Sequence, residues 1–232
     1  MPPQKRVKAA RSNFRTVGVI TTTAGLRLAS RMSRPPDLFE LRLDCLFPAE
    51  KLEKKIGALP APVIITARHP AEGGENNLPL PARRDLLMRF LPAARYVDIE
   101  LRSVRGLETL LDRIRRRNVR LIISVHDLGS IAPLGSLRAK ASRAKALGAA
   151  VFKVATRTDT PAQLGRLLEF VYAVQNEIVI SAMGTGKLGA VSRILLAQSG
   201  SALSYVSVGA PRIEGQMSLE DFRGVLRQIE LA

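Results

Sequence analysis

The sequence predicts an α/β fold, a single (β/α)8 TIM barrel, on three observations. Short β-branched runs alternate with longer segments of helical spacing, eight times in 232 residues. No linker or shift of composition divides the chain after residue 15. Several of the short runs carry charge on one face only, as strands do when their inner faces share a polar lumen. Strands alternating with helices favour a parallel sheet, and eight units in a chain of this length favour closure over an open sheet.

The strands, in order, are "TVGVITT" (16–22), "LFELRLD" (38–44), "PVIITAR" (62–68), "YVDIEL" (96–101), "RLIISVH" (120–126), "VFKVAT" (151–156), "EIVISAM" (177–183) and "ALSYVSV" (202–208). Helical spacing with Ala, Leu, Arg and Lys content marks 83–91, 106–117, 134–148, 161–175, 190–200 and 218–229, and Gly or Pro punctuates many joins. In the second strand Phe39, Leu41 and Leu43 share one face, and Glu40, Arg42 and Asp44 the other. In the fourth, Val97, Ile99 and Leu101 oppose Asp98, Glu100 and Arg102. Thr66 falls with Arg68 in the third, and Ser124 with His126 in the fifth. The apolar sets are expected to meet the helices and the polar sets to point inward. Barrel interiors are mostly filled by branched apolar side chains. Charge from several strands converging on one lumen therefore indicates a polar ligand held at the carboxyl ends of the strands, where Arg68 and His126 lie.

An apolar fraction of 46% supports a packed core. No apolar run reaches the ~18 residues of a membrane span, and no apolar h-region marks a secretory signal. The single cysteine, Cys45, has no internal partner, which fits a reducing compartment and a cytoplasmic location. Part of the net charge of +16 lies in residues 1–15, read as a basic, disordered arm (Lys5, Arg6, Lys8, Arg11, Arg15) preceding a barrel over 16–232. Another part is "RIRRRNVR" (113–120), a solvated helix face or a nucleic-acid patch. With 4% aromatic residues and no Trp, stacking platforms are scarce, and nucleic acid is not expected as the main partner.

Lys153 stands in the middle of an otherwise apolar strand. A buried ammonium without a partner is costly. One reading is a structural ion pair with Glu40 or Glu100. The other is a nucleophilic amine: burial beside cations favours the neutral form, which condenses with a ketone to an iminium that acidifies the adjacent C–H. Such chemistry needs a base, and His126, 27 residues upstream, belongs to the neighbouring strand. His126 also fits a capping role at a strand end, and His69 is read as a surface residue in a loop. "GTGKLG" (184–189) lacks the spacing of a Walker loop, so phosphate binding is not expected there.

Several motifs, in this order and spacing, resemble those of the type I 3-dehydroquinate dehydratases, over residues 16–230. They are "ELRLD" (40–44), "TARHPAEGGE" (66–75), "YVDIEL" (96–101), "SVHDL" (124–128), "FKVAT" (152–156) and "LGAVSRI" (188–194). The resemblance implies a (β/α)8 hydro-lyase of the shikimate pathway that turns 3-dehydroquinate into 3-dehydroshikimate. It implies that Lys153 forms the imine, that His126 is general base and then acid, and that Glu72 orients His126. It further implies that Arg193 holds the substrate carboxylate, that Glu40, Arg42 and Arg68 position the substrate, and that Gln216 closes over it. No metal or dissociable cofactor is called for, since the lysine is the electron sink, and a homodimer is implied. Three features depart from the family. The family reads Ser-Ala-Pro-Gly-Gln after the last strand; here either "RIEGQ" (212–216) aligns without a gap, with Arg212 at the serine as a substrate-binding candidate and Glu214 at the proline, or "AP" (210–211) keeps the family's Ala-Pro and "RIE" is inserted before Gly215. Thr185 replaces a methionine, and the N-terminal closing hairpin is missing. The alternatives are another Schiff-base barrel of aldolase type, or a catalytically weakened barrel that binds nucleic acid through its basic surface.

Overall fold

The computed structural model describes residues 14–48 and 52–231. The arm expected at the N-terminus lies outside the described residues up to residue 13. Phe14 and Arg15, assigned to that arm, belong to the fold instead: Arg15 opens the first strand, and the Phe14 ring meets Phe222 edge-on at 5.8 Å.

Strand and helix alternate throughout. β1 (Arg15–Ile20) leads into α1 (Thr23–Ala29), and β2 (Leu38–Arg42) into two short helices, α2 (Leu43–Leu46) and α3 (Leu52–Ile56). Then follow β3 (Val63–Thr66), α4 (Leu80–Phe90), β4 (Ala94–Glu100), α5 (Glu108–Arg116), β5 (Arg120–Asp127) and α6 (Leu134–Ala146). The chain continues through β6 (Val151–Arg157), α7 (Pro161–Val174), β7 (Ile180–Thr185), α8 (Gly189–Gln198), β8 (Leu203–Ser207) and α9 (Leu219–Leu231). Eight strands run in the order β7-β6-β5-β4-β3-β2-β1-β8, each pair parallel. The remaining seam, between β7 and β8, is bridged by the Ala202 amide on the Ile180 carbonyl (2.8 Å) and by the Ser181 hydroxyl on the Leu203 carbonyl (2.8 Å). The fold is therefore the expected barrel; the stretch before Phe14, where a closing hairpin would stand, lies outside the described residues.

Period-two alternation sorts the lumen into layers. Val17, Leu38, Ile64, Tyr96, Ile122, Val151 and Leu203 form an apolar floor. Two residues further along their strands, Glu40, Thr66, Asp98, Ser124 and Lys153 replace hydrocarbon with polar groups, all buried. The opposite strand faces carry Phe39, Leu41, Ile65, Val97, Ile99, Ile123, Phe152 and Val154 into a second core beneath the helices. α7 shows the fit. Thr160 and Gln163 form a reciprocal capping box, Pro161 occupies the first turn, and Leu167, Phe170, Val171 and Val174 make the buried stripe. Phe170 meets Phe152, the neighbour of Lys153, edge to face at 6.3 Å.

The alternation stops earlier than expected at two strand ends. β2 ends at Arg42 because the chain turns into α2, which takes Leu43 and Asp44 out of the strand. β4 ends at Glu100, and a 3-10 turn over Leu101–Ser103 sends Arg102 outward, half exposed, to pair with Glu72 at 3.2 Å. The arginines of "RIRRR" form the solvated face of α5, whose Leu110, Leu111 and Ile114 are buried.

Because Phe170 is fully buried against the strand that carries Lys153, Phe170→Ala should cost about 3–5 kcal/mol. Urea unfolding checks this; a cost below about 1 kcal/mol would contradict the packing described.

Candidate active site

A cavity of about 320 Å³ opens at the carboxyl end of the barrel. All nine candidate residues line it: Lys153, His126, Glu72, Glu40, Arg42, Arg68, Arg193, Gln216 and Arg212.

Lys153, 3% exposed, projects from β6 into the middle layer. Its Nζ donates to Glu40 Oε1 at 3.1 Å and to Asp98 Oδ2 at 2.9 Å, and sits 3.8 Å from the Tyr205 ring centroid. Two carboxylates and a ring face surround the amine, where the sequence suggested cations and a pairing with Glu40 or Glu100. Glu40 is a partner. Glu100 is not, because Arg68 Nη1 (3.0 Å) and Arg83 Nη1 (3.0 Å) engage its two oxygens.

Arg68 crosses the lumen as a brace. It donates to Asp98 Oδ2 (3.0 Å), Glu100 Oε1 and Ser124 Oγ (2.8 Å). Burial opposes its charge, but the carboxylates of Asp98, Glu100 and Glu40 outweigh burial and raise its pKa. Burial likewise disfavours the charge on Asp98, yet Arg68 and Lys153 prevail and hold it well below the usual carboxylate range. Three carboxylates (Glu40, Asp98, Glu100) thus interleave with three cations (Arg68, Arg83, Lys153).

Arg42 belongs to a second unit. Its Nε and Nη2 grip both oxygens of Asp44 at 3.0 and 2.8 Å, and Nη2 also donates to the Gly73 carbonyl at 2.9 Å. Asp44 in turn accepts from the amides of Arg68 (3.1 Å) and Glu75 (3.0 Å). This clamps the loop "HPAEGGE", and a Cβ on Gly74 would collide with the Arg68 carbonyl, which explains glycine there. His69 caps the loop's 3-10 turn, accepting the Ala71 amide on Nδ1 at 3.0 Å. Glu72, carried by the same turn, reaches β5. Its Oε2 accepts the His126 amide (2.8 Å) and lies 2.9 Å from His126 Nδ1.

His126 is 11% exposed. Burial first, then Arg68 and Lys153, push its pKa well below 6.5, with Asp98 opposing, so the ring is neutral at pH 7. Burial pushes the Glu72 carboxyl up to about 7, against the His126 amide, and Glu100 pushes the same way while Arg68 and Arg102 oppose it. At 2.9 Å the carboxyl and Nδ1 are within hydrogen-bond distance, and which of them donates depends on the tautomer. With Glu72 ionised, Nδ1 carries the hydrogen and Nε2 is left as a base.

Arg193, 4% exposed on α8, differs from the other buried arginines. It donates only to carbonyls, of Gly215 (3.1 Å) and Tyr205 (2.8 Å), and among the described residues it has no carboxylate partner. Burial alone lowers its pKa, to about 10, so it remains charged. Cys45 also lines the cavity, but burial pushes its thiol up to about 12, which removes it as a nucleophile at neutral pH.

"GTGKLG" cradles no phosphate. The Gly186 amide is spent on the Glu214 carbonyl (2.9 Å) and the Lys187 amide on Asp159 Oδ1 (2.9 Å). Arg212, expected at the substrate, lines the cavity and pairs with Glu75 at 2.9 Å, and its amide donates to Gln216 Oε1 at 3.4 Å.

Two site residues escaped sequence reasoning. Asp98 was placed on the inner face of its strand but given no task; Tyr205 shares the inner face of β8 with Ser207 and carries no charge to flag it. The Tyr205 hydroxyl is buried without a partner among the described residues. Burial, then Glu40 and Asp98, raise its pKa well above 10, so it stays a neutral phenol.

Comparison with known proteins agrees with this geometry. The family model of type I 3-dehydroquinase matches residues 15–232. A 3-dehydroquinate dehydratase of Pyrococcus abyssi is 30% identical over 196 residues, covering 84% of this chain and 88% of that protein. The crystal structure of the 3-dehydroquinate dehydratase from Geobacillus kaustophilus superposes with a TM-score of 0.80 at 25% identity, over 94% of this chain and 91% of that one. The type I enzyme from Clostridium difficile shares the fold, with a TM-score of 0.81 at 20% identity, over 94% and 92% of the two chains. A clamped Glu-Gly-Gly loop, a strand-borne lysine and a neighbouring histidine thus occur in a chain that belongs to the type I 3-dehydroquinase family.

Proposed function

We propose that the chain is a hydro-lyase that converts 3-dehydroquinate to 3-dehydroshikimate through an imine on Lys153. The observation that carries this reading is electrostatic. The lumen's three cations and three carboxylates balance, and among the described residues Arg193 is left as the one buried arginine without a carboxylate, on the cavity that Lys153 and His126 also line. A substrate with a ketone and one carboxylate suits that arrangement.

In this mechanism Lys153 Nζ, its surplus proton lost to solvent, attacks the C3 carbonyl, and the carbonyl oxygen leaves as water. The resulting iminium keeps the positive charge beside Asp98 Oδ2 and over the Tyr205 ring, where the ammonium rested. His126 Nε2 takes a C2 proton; the C–H electron pair forms a C2–C3 double bond while the C=N π pair moves onto nitrogen, giving a neutral enamine. The protonated His126 then donates to the C1 hydroxyl, which departs as water while the enamine pair returns to form the C1–C2 double bond. Water hydrolyses the conjugated iminium and frees Lys153 and product. Arg193 holds the substrate carboxylate. Glu40, Arg42, Arg68 and Gln216 position the substrate's remaining groups, the first three held rigid by the pairings above. The setting implied is a cytoplasmic homodimer in the shikimate pathway.

An absorbance assay for the conjugated enone product tests the activity. Wild type should form it, and Lys153→Ala should lower kcat by about 10³-fold or more. Turnover surviving in Lys153→Ala, or carbon–carbon cleavage products in place of dehydration, would contradict the assignment.

The Glu72–His126 pair sets the pH dependence. Below about pH 7 Glu72 is protonated and its proton occupies Nδ1's partner site, so Nε2 keeps its own hydrogen and cannot act as a base. kcat/KM should therefore rise with pH through about 7. In Glu72→Gln only the depressed histidine titrates, and the acid limb should move below 6.5. An unchanged profile in that variant would contradict the coupling.

A further inference from the structure

The loop between β8 and α9 holds Arg212 and Glu214, two of the residues that depart from the family pattern. Its feet lie side by side: Ser207 bridges to Ser218, and the Ser207 amide donates to the Met217 carbonyl at 2.9 Å. Between them the loop stands over the cavity, with Ala210, Arg212, Ile213 and Gln216 in its lining. One flank is fixed by backbone packing. Gly215, with φ +78°, presses so closely on the start of α8 that a Cβ on Gly189 would lie 2.8 Å from the Gly215 Cα. The Gly186 amide and Arg193 Nε bond the carbonyls of Glu214 and Gly215.

Two ion pairs add to this, and both use the departing side chains. Arg212 Nη2 reaches Glu75 Oε1, on the loop after β3, at 2.9 Å. Glu214 Oε2 receives Arg157 Nη2, from the end of β6, at 3.1 Å. Arg157 is itself steadied by Asp159 Oδ2 at 2.7 Å. The anchors come from different sectors of the rim, so the lid is tied down on two sides. Between the tethered residues and Met217 lies Gln216, whose Oε1 accepts from the Arg212 amide at 3.4 Å.

We propose that Arg212 and Glu214 form a charge clasp with Glu75 and Arg157. Through it Glu75, Arg157 and Glu214 act as positioning residues that hold Gln216 over the cavity before substrate arrives. A serine and a proline in place of Arg212 and Glu214 could not make these pairs, so in this chain side-chain charge adds to the backbone packing that holds the lid. A lid already in its binding conformation lowers the apparent dissociation constant by the fraction of time it is preformed. The kinetic consequence rests on the dehydratase reading; the structural one does not.

Two measurements test the clasp, on wild type, Glu75→Gln, Arg212→Gln, Glu214→Gln and the charge-swapped pair Glu75→Arg with Arg212→Glu. In hydrogen exchange on the substrate-free protein, amides of 209–217 should be protected in wild type. They should exchange about two- to fivefold faster in each single variant, the range an exposed ion pair supplies, and regain protection in the swapped pair. In steady-state kinetics Glu75→Gln should raise KM by a similar factor, more than it lowers kcat, and should be non-additive with Arg212→Gln. Equal exchange in all forms overturns the clasp. So does a KM effect confined to Arg212 and not rescued by the swap, which would make Arg212 a direct substrate contact. If the exchange pattern holds but 3-dehydroquinate is not turned over, the clasp stands and the substrate assignment fails.

Discussion

The barrel depends on keeping charge inside a lumen that is hydrocarbon at its floor. Arg68 makes this possible: its guanidinium reaches Asp98, Glu100 and Ser124 from three positions of two neighbouring strands. An unpartnered charge at that depth would cost several kcal/mol. With Arg68 in place, Asp98 stays ionised and becomes one of two anchors for Lys153; Arg83 satisfies the far oxygen of Glu100. Removing Arg68 takes a counter-ion from Asp98 and from Glu100 at once, so the site and the stability of its strands share the same residues.

That balance also defines what the cavity lacks. Arg42 is neutralised by Asp44, and Arg68 and Arg83 by Asp98 and Glu100, while Arg193 is held only by carbonyls. Arg193 is thus the buried cation on which the proposed substrate carboxylate would rest. Glu72 and His126 form a separate proton-handling pair on the rim, tied to the fold by the same Glu72 oxygen that accepts the His126 amide. In the proposed mechanism function is divided by depth: lysine and its carboxylates in the middle layer, base, anion holder and lid above it.

Much of this was legible in the sequence because strand alternation has a period of two, and charge at Glu40, Arg42, Asp98 and Glu100 betrays the inward face. Lys153 and His126 follow from the same rule on adjacent strands. What stayed hidden depends on contacts between distant segments. Nothing local says that Glu100 is spent on Arg68 and Arg83, leaving Asp98 for the lysine. Asp44 and Arg102 continue the alternation on paper, but short helical turns remove them from their strands. Tyr205 looks like an apolar strand residue until its ring is found beneath Nζ. Arg212 reads as a cavity cation, and nothing local says that Glu75 from another loop pairs with it there.

The central claim is that Lys153 forms the covalent bond. Borohydride reduction during turnover, followed by intact-mass and peptide mass spectrometry, tests it most directly. The account predicts one reduced adduct on Lys153, absent without substrate and absent in Lys153→Ala. An unmodified chain, under conditions where product is being formed, would contradict it.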